Sequence, residues 1–127
     1  SSAPVEFACI FCQEDEYKEF TELIEKLGKI LERTSSGFTY LLDKSIVTNA
    51  GPLRLVKIRK PDVQRPERGD ADFNTNYEEF KKKYQNNPKF ELIRRDTFEM
   101  LRLTDPDFDT MACFSNIPKS KNLGIKL

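Results

Sequence analysis

The feature that most narrows what this 127-residue chain can fold into is an internal repeat of pattern. Near the start, Val5 to Phe11 reads as an apolar strand that runs into a helix carrying Tyr17-Lys18-Glu19-Phe20. Near the middle, Gly69 to Asn74 reads as a second strand and runs into Tyr77-Glu78-Glu79-Phe80. Each copy then continues into extended segments punctuated by turn residues. Two copies of one such unit are expected to pack together and to use the groove between them.

In the first copy, Phe20, Leu23, Ile24, Leu27, Ile30 and Leu31 recur at helical spacing and predict a helix over Glu14 to Arg33. Ser35, Ser36 and Gly37 end it. Strands are expected at Phe38 to Leu42, Ile46 to Thr48 and, after the turn Asn49-Ala50-Gly51-Pro52, at Leu53 to Arg59. The stretch from Lys60 to Gly69 is rich in proline and charge, has no apolar period, and reads as a linker. In the second copy, Thr75 with Glu78 makes a capping-box pattern for a helix ending by Asn86-Asn87-Pro88. Lys89 to Arg95, Phe98 to Leu103 and Thr110 to Ser115 follow as strands. The fold class is therefore α+β, with two βαβββ modules at residues 5–62 and 69–116 within one domain. The tail, residues 117–127, is expected either to fold over a partner subunit or to stay mobile.

Charge and cysteine usage restrict function. With 21 basic and 21 acidic side chains the formal net charge is zero, so the whole-molecule field that steers nucleic-acid binders is missing and no nucleic acid is expected as a partner. No apolar run approaches the ~20 residues that span a bilayer, and no secretory signal is read, so no membrane partner is expected either. Three cysteines, Cys9, Cys12 and Cys113, suit a reducing compartment, and the cytoplasm is the expected location. The absence of histidine excludes Ser-His and Cys-His nucleophile pairs. Cys9 and Cys12 have the spacing of a redox pair but fall on a strand, where no helix dipole lowers a thiol pKa.

The order βαβββ, taken twice, resembles the vicinal oxygen chelate family, which includes glyoxalases, extradiol dioxygenases and bleomycin-resistance-type proteins. The second copy carries the resemblance best, in Asp70-Ala71-Asp72-Phe73, the amphipathic helix, Phe98-Glu99-Met100-Leu101-Arg102-Leu103, and Asp105-Pro106-Asp107 before the last strand. The resemblance implies curved mixed sheets around a cavity with helices outside. Strand alternation then puts Phe7, Cys9 and Phe11 on one face and Ala8 and Ile10 on the helix side.

Metal-dependent members of that family place ligands near the start of the first strand and on the last strand of each module. Those four positions fall here at Phe7, Lys57, Asp70 and Ala112, of which only Asp70 can bind a cation. Two-residue slips substitute Asp72, Leu55 or Arg59, and Thr110 or Phe114, and still assemble no metal site. No metal, cofactor or catalytic residue is therefore assigned. Lys57 and Asp70 are expected either to pair with each other or with a ligand, or to reach solvent at a sheet edge. The candidate ligand-binding residues are Phe7, Phe11, Tyr40, Lys57, Arg59, Asp70, Asp72, Ala112 and Phe114. The basic residues Arg54, Lys57, Arg59, Lys60, Arg65 and Arg68 are interleaved with Asp62, Glu67, Asp70 and Asp72, which favours a self-paired, solvated surface.

The expected function is binding of a small, partly apolar molecule, in the manner of the family's drug-sequestering members, by a homodimer. Two alternatives stand beside it. One is an atypical lyase, isomerase or dioxygenase-like enzyme in which Asp70 or Asp72 converges with Glu6 or Glu99. The other is a protein-interaction module with a filled cavity and an exposed apolar patch.

Overall fold

Gly28 decides how the first module is built. In a computed structural model describing residues 3–127, strand β1, Val5–Phe11, leads into helix α1, Tyr17–Glu25, and the chain then leaves the helix. Strand β2, Gly28–Thr34, pairs antiparallel with β3, Gly37–Thr48, and any side chain at Gly28 would strike the Leu41 carbonyl on that neighbour. The helix expected over Glu14 to Arg33 is thus corrected. Ile30 and Leu31 completed a helical stripe in sequence, but in the fold their segment forms a ladder against β3. The glycine was itself a stop signal of the kind that ends helices.

A second correction offsets the first in the strand count. The two short strands expected at 38–42 and 46–48 are one twelve-residue strand, β3, whose register with β4, Gly51–Arg59, shifts between Leu41 and Ile46. The turn from β2 to β3 is closed by Thr34, whose Oγ1 donates to the Gly37 carbonyl at 2.8 Å. Gly37 has φ +148°, and a Cβ there would collide with the Ile58 carbonyl, so both conformation and space demand glycine.

The second module repeats the order with β5, Gly69–Phe73; α2, Tyr77–Tyr84; β6, Phe90–Arg94; β7, Glu99–Leu103; and β8, Thr110–Ser115. Its helix is capped by Asn76, whose side chain accepts from the Glu79 N–H at 3.5 Å, and not by the expected Thr75–Glu78 box. Thr75 Oγ1 is instead buried without a hydrogen-bond partner among the described residues. A short helix α3, Lys119–Asn122, follows β8.

The strands form one mixed sheet in the order β2-β3-β4-β1-β5-β8-β7-β6, not closed into a barrel. Within each module the first and last strands run parallel, β1 with β4 and β5 with β8. The modules join where β1 and β5 pair antiparallel, with Ala8 opposite Ala71 and Cys9 opposite Asp70. A pseudo-two-fold axis through the Ala8–Ala71 pair therefore exchanges the halves.

Both longer helices lie on one face of this sheet. Under α1, Ile24 packs with Tyr40, Leu42, Val56 and Ile58, and Ala8 and Ile10 join from β1. Under α2 the core is aromatic. Phe80 stacks on Phe114 at 4.3 Å, Phe114 stacks on Phe73 at 5.6 Å, and Tyr84 stacks on Phe90 at 5.0 Å. Such pairs contribute ~0.5–1.5 kcal/mol each beyond area burial. At the helix start, Tyr77 donates to Glu99 Oε2 at 2.6 Å, and Lys81 meets the same oxygen at 2.7 Å. In the linker, one Arg68 guanidinium nitrogen donates to both Glu16 oxygens, at 2.9 and 2.8 Å, tying the start of the second module to the approach to α1. Among the described residues no helix is long and apolar enough to cross a membrane.

Leu101 is fully buried at the centre of β7, beneath the aromatic cluster. Leu101→Ala is expected to lower unfolding free energy by about 2–5 kcal/mol in urea denaturation. A loss below ~1 kcal/mol would mean that this side of the sheet is not packed as described.

Candidate functional site

The inner face of the sheet, opposite the helices, is assembled from alternate residues of the central strands. Register places them in rows. Phe7, Asp72, Cys113 and Arg102 face one another across β1, β5, β8 and β7. Lys57, Cys9, Asp70 and Met111 form the next row, and Arg59 lies opposite Phe11 in a third. Above these rows is a cavity of about 320 Å³. Phe7, Phe11, Phe98, Met100 and Ile117 supply its apolar wall, and Asp70, Asp72, Lys57, Arg59, Arg65, Arg95, Arg102 and Lys119 supply charge.

The C-terminal segment completes the wall. Leu123 and Ile125 pack against the cluster of Phe7, Cys9, Phe11, Leu55 and Met111. Ser120 N–H donates to Glu6 Oε2 at 2.8 Å, and Lys119 meets Glu32 at 3.0 Å while lying 5.3 Å from the Phe7 ring centroid. The tail is thus folded onto its own chain.

Burial governs the ionisation of this face. The Asp72 carboxyl is pushed up to about 7, chiefly by desolvation and then by the neighbouring Asp70 charge, with Lys119 opposing. Asp70 is also raised, because desolvation outweighs the pull of Arg102, Arg59, Arg65 and Lys57. Desolvation and the Asp70 charge push Cys9 up to about 12, and desolvation together with Asp72 raises Cys113. Both thiols are therefore neutral near pH 7 and poor nucleophiles. Among the described residues neither Asp70 nor Asp72 accepts a hydrogen bond or lies within 4 Å of a cationic nitrogen.

Six of the nine residues singled out from sequence meet at this cavity: Phe7, Phe11, Lys57, Arg59, Asp70 and Asp72. The other three require correction. Tyr40 is 1% exposed and packs beneath α1, and Phe114 stacks with Phe73 and Phe80 beneath α2. Ala112 lies on that same helix-side face and lines an apolar cleft of about 450 Å³ with Ala8, Ile10, Ala71 and Phe108. The displacement of Ala112 is a one-residue slip, which reverses the face a side chain occupies. The axis that carries Phe7 onto Asp70 carries Lys57 onto Cys113, so the four symmetry-consistent positions are Phe7, Lys57, Asp70 and Cys113.

The expected Lys57–Asp70 pair does not form. Lys57 Nζ turns away across β3, toward the β2–β3 turn, to donate to Ser36 at 2.8 Å and Thr34 at 3.3 Å, and Cys9 stands between the side chains of β4 and β5. Glu99 does not converge on the aspartates either, being held by Tyr77 and Lys81 on the helix side. The basic run divides. Arg68 and Arg65 have carboxylate partners in Glu16 and Asp62, and Arg54 donates to the Leu42 carbonyl, whereas Arg59 lines the cavity and Lys57 borders it while its ammonium donates to Ser36 and Thr34. Arg102, Cys113 and Lys119 were missed; the alternation Met100, Arg102 along β7 was the available signal for the first. No group of three or more cysteine, aspartate or glutamate side chains among the described residues is placed to hold a metal ion.

No protein-family model matches the chain, and no curated protein matches it. A solved structure named "Structural Genomics, Protein EC4020" superposes with a TM-score of 0.73 at 12% identity, covering 96% of this chain and 76% of that one. At that identity the likeness is one of fold.

The raised Asp72 carboxyl has a consequence for stability. Unfolded, this group loses its proton near pH ~3.9, whereas folded it keeps it to about 7, so the folded form binds more protons in between. Its contribution to stability is present below pH ~4 and is lost as pH rises through about 7. Asp72→Asn is expected to flatten that slope and to be more stable than the parent at pH 8 by about 1 kcal/mol or more in urea denaturation. An unchanged pH profile would show that the carboxyl is not buried.

Proposed function

We propose that this chain is a glyoxalase- and bleomycin-resistance-like protein that binds a small, partly apolar molecule in the inner-face cavity without a metal centre. The observation that carries the reading is a cavity with aromatic walls in which the Asp70 and Asp72 carboxyls and Arg59 Nε have no hydrogen-bond partner among the described residues. Burying such groups costs several kcal/mol unless something pairs with them, and a ligand removes that cost. Phe7, Phe11 and Phe98 offer the complementary apolar surface. The four positions Phe7, Lys57, Asp70 and Cys113 include one carboxylate, one thiol and no imidazole, which is a poor donor set for a catalytic divalent ion.

One observation favours a second reading. An aspartic acid whose proton is lost at about pH 7, facing a cavity, has the property needed for general acid–base work. An atypical lyase- or isomerase-type enzyme would use Asp72 in that role.

A homodimer is supported by the two open sheet edges, β2 and β6, and by Val47, 90% exposed near the tip of the β3–β4 hairpin beside Ile46. Light scattering after size exclusion tests it. A cytoplasmic location is supported by three buried cysteines, all unpaired.

The binding reading is tested by elemental analysis of the purified protein together with thermal-shift screens of divalent metals and of aromatic and acidic metabolites. The expected result is no stoichiometric metal and stabilisation by one class of organic molecule, about 2.7 kcal/mol at a hundredfold excess over Kd. Phe11→Ala is expected to weaken that binding at least tenfold. Stoichiometric metal with a metal-specific stabilisation would overturn the proposal.

A further inference from the structure

We infer that the ligand this cavity fits is a small zwitterion, carrying an ammonium group and an anionic group on one short scaffold. The inference rests on the small-molecule reading and names its ligand class.

The charges around the cavity are unevenly met. Three of the cationic groups around the cavity are engaged by carboxylates of the chain: Arg65 with Asp62 at 3.5 Å, Lys119 with Glu32 at 3.0 Å, and Arg102 with Glu91 at 3.7 Å. Arg95 is exposed to solvent. What remains without an oppositely charged group within 4 Å among the described residues is Asp70 and Asp72 on one side and Lys57 and Arg59 on the other. Among the described residues neither aspartate has a donor, and the hydrogen-bond partners of Lys57 Nζ are two hydroxyls. Arg59 Nε is buried with no acceptor among the described residues.

The two signs are also held apart. Asp70 and Asp72 project from β5, whereas Lys57 and Arg59 project from β4, with β1 between them. Two strand spacings put the backbones about 10 Å apart, too far for direct pairing through short aspartates once Lys57 has turned toward Ser36. The intervening strand contributes Cys9 and Phe11, neither of which supplies a charge to bridge the gap. Phe11 instead seats the cationic end: the Arg59 and Arg65 guanidinium carbons each lie 5.8 Å from its ring centroid.

A ligand with only an anion would satisfy Arg59 but leave two carboxylates facing it across a low-dielectric space, and one with only a cation would meet the converse. A molecule with both satisfies both ends. Its ammonium donates to Asp70 and Asp72, its anionic group accepts from Arg59, and its remaining surface lies on Phe7 and Phe11. An ammonium also provides three donors, enough for two carboxylates that have none.

The test is calorimetric titration of the purified chain at pH 7, where the α-amine of an amino-acid amide is still mostly protonated, with alanine, leucine, phenylalanine and 4-aminobutyrate. Each is compared with its N-acetyl derivative, which lacks the ammonium, and its amide, which lacks the carboxylate. At least one amino acid is expected to bind ten or more times tighter than both of its derivatives. Asp72→Asn should remove the preference over the N-acetyl form, and Arg59→Gln the preference over the amide. Equal binding of an amino acid and its derivatives, or binding of no amino acid in the set, overturns the zwitterion inference. Stabilisation by other organic molecules in the broader screen would leave the small-molecule reading standing in either case, and its absence there would remove that reading separately.

Discussion

The structure depends on one pairing, the antiparallel contact of β1 with β5 at Ala8 and Ala71. Each module alone is a four-stranded sheet with one helix, and without this contact each would present an open edge at its first strand. Joining them makes a single eight-stranded sheet and sets the register of everything at its centre. Because Cys9 falls opposite Asp70 and Phe7 opposite Asp72, the two carboxylates sit between apolar and sulfur-bearing neighbours rather than at a rim. Their raised proton affinity follows from that placement.

The same pairing divides the labour of the two faces. Small residues on β1, β5 and β8, namely Ala8, Ala71 and Ala112, lie on the helix side, while larger and charged residues alternate onto the inner face. The helix side is stabilised by apolar packing under α1 and by aromatic stacking under α2. The inner face is not stabilised in that way. It keeps charge in a partly dry space, and stability given up there is the usual sign of a surface that functions by meeting something else.

Much of this was legible in the sequence, and the failures have physical causes. The repeated strand–helix–strands order, the linker and the strands of the second module follow from local pattern, since Phe90–Arg94, Glu99–Leu103 and Thr110–Ser115 all have clear boundaries. The segment Gly28–Thr34 was not legible because Leu27, Ile30 and Leu31 satisfy a helical period equally well, and only long-range pairing with β3 decides between the two. At the site, alternation along β1 puts Phe7 and Phe11 on one face, while Asp70 comes from the ligand position the family resemblance implies on β5 and Asp72 from a two-residue slip of it. Ala112 was assigned to the wrong face because a two-residue slip preserves the face and a one-residue slip reverses it. Tyr40 and Phe114 were expected in the cavity as aromatics, whereas the helices claim them for their own cores. The tail's return onto Phe7 and Leu55 has no local signal, since Leu123 and Ile125 are too few to make a period.

The inner face holds two half-buried aspartates, Asp70 and Asp72, that no donor or cation among the described residues pairs. Carbon-13 NMR of the aspartate side-chain carboxyls, followed across pH 3 to 9 in the ligand-free protein, measures this directly. Asp72 is expected to titrate at about pH 7 and Asp70 above the ordinary aspartate range. Midpoints near ~3.9 for both would contradict it, because carboxylates in water, or paired with Lys57 or Arg59, would show no such rise.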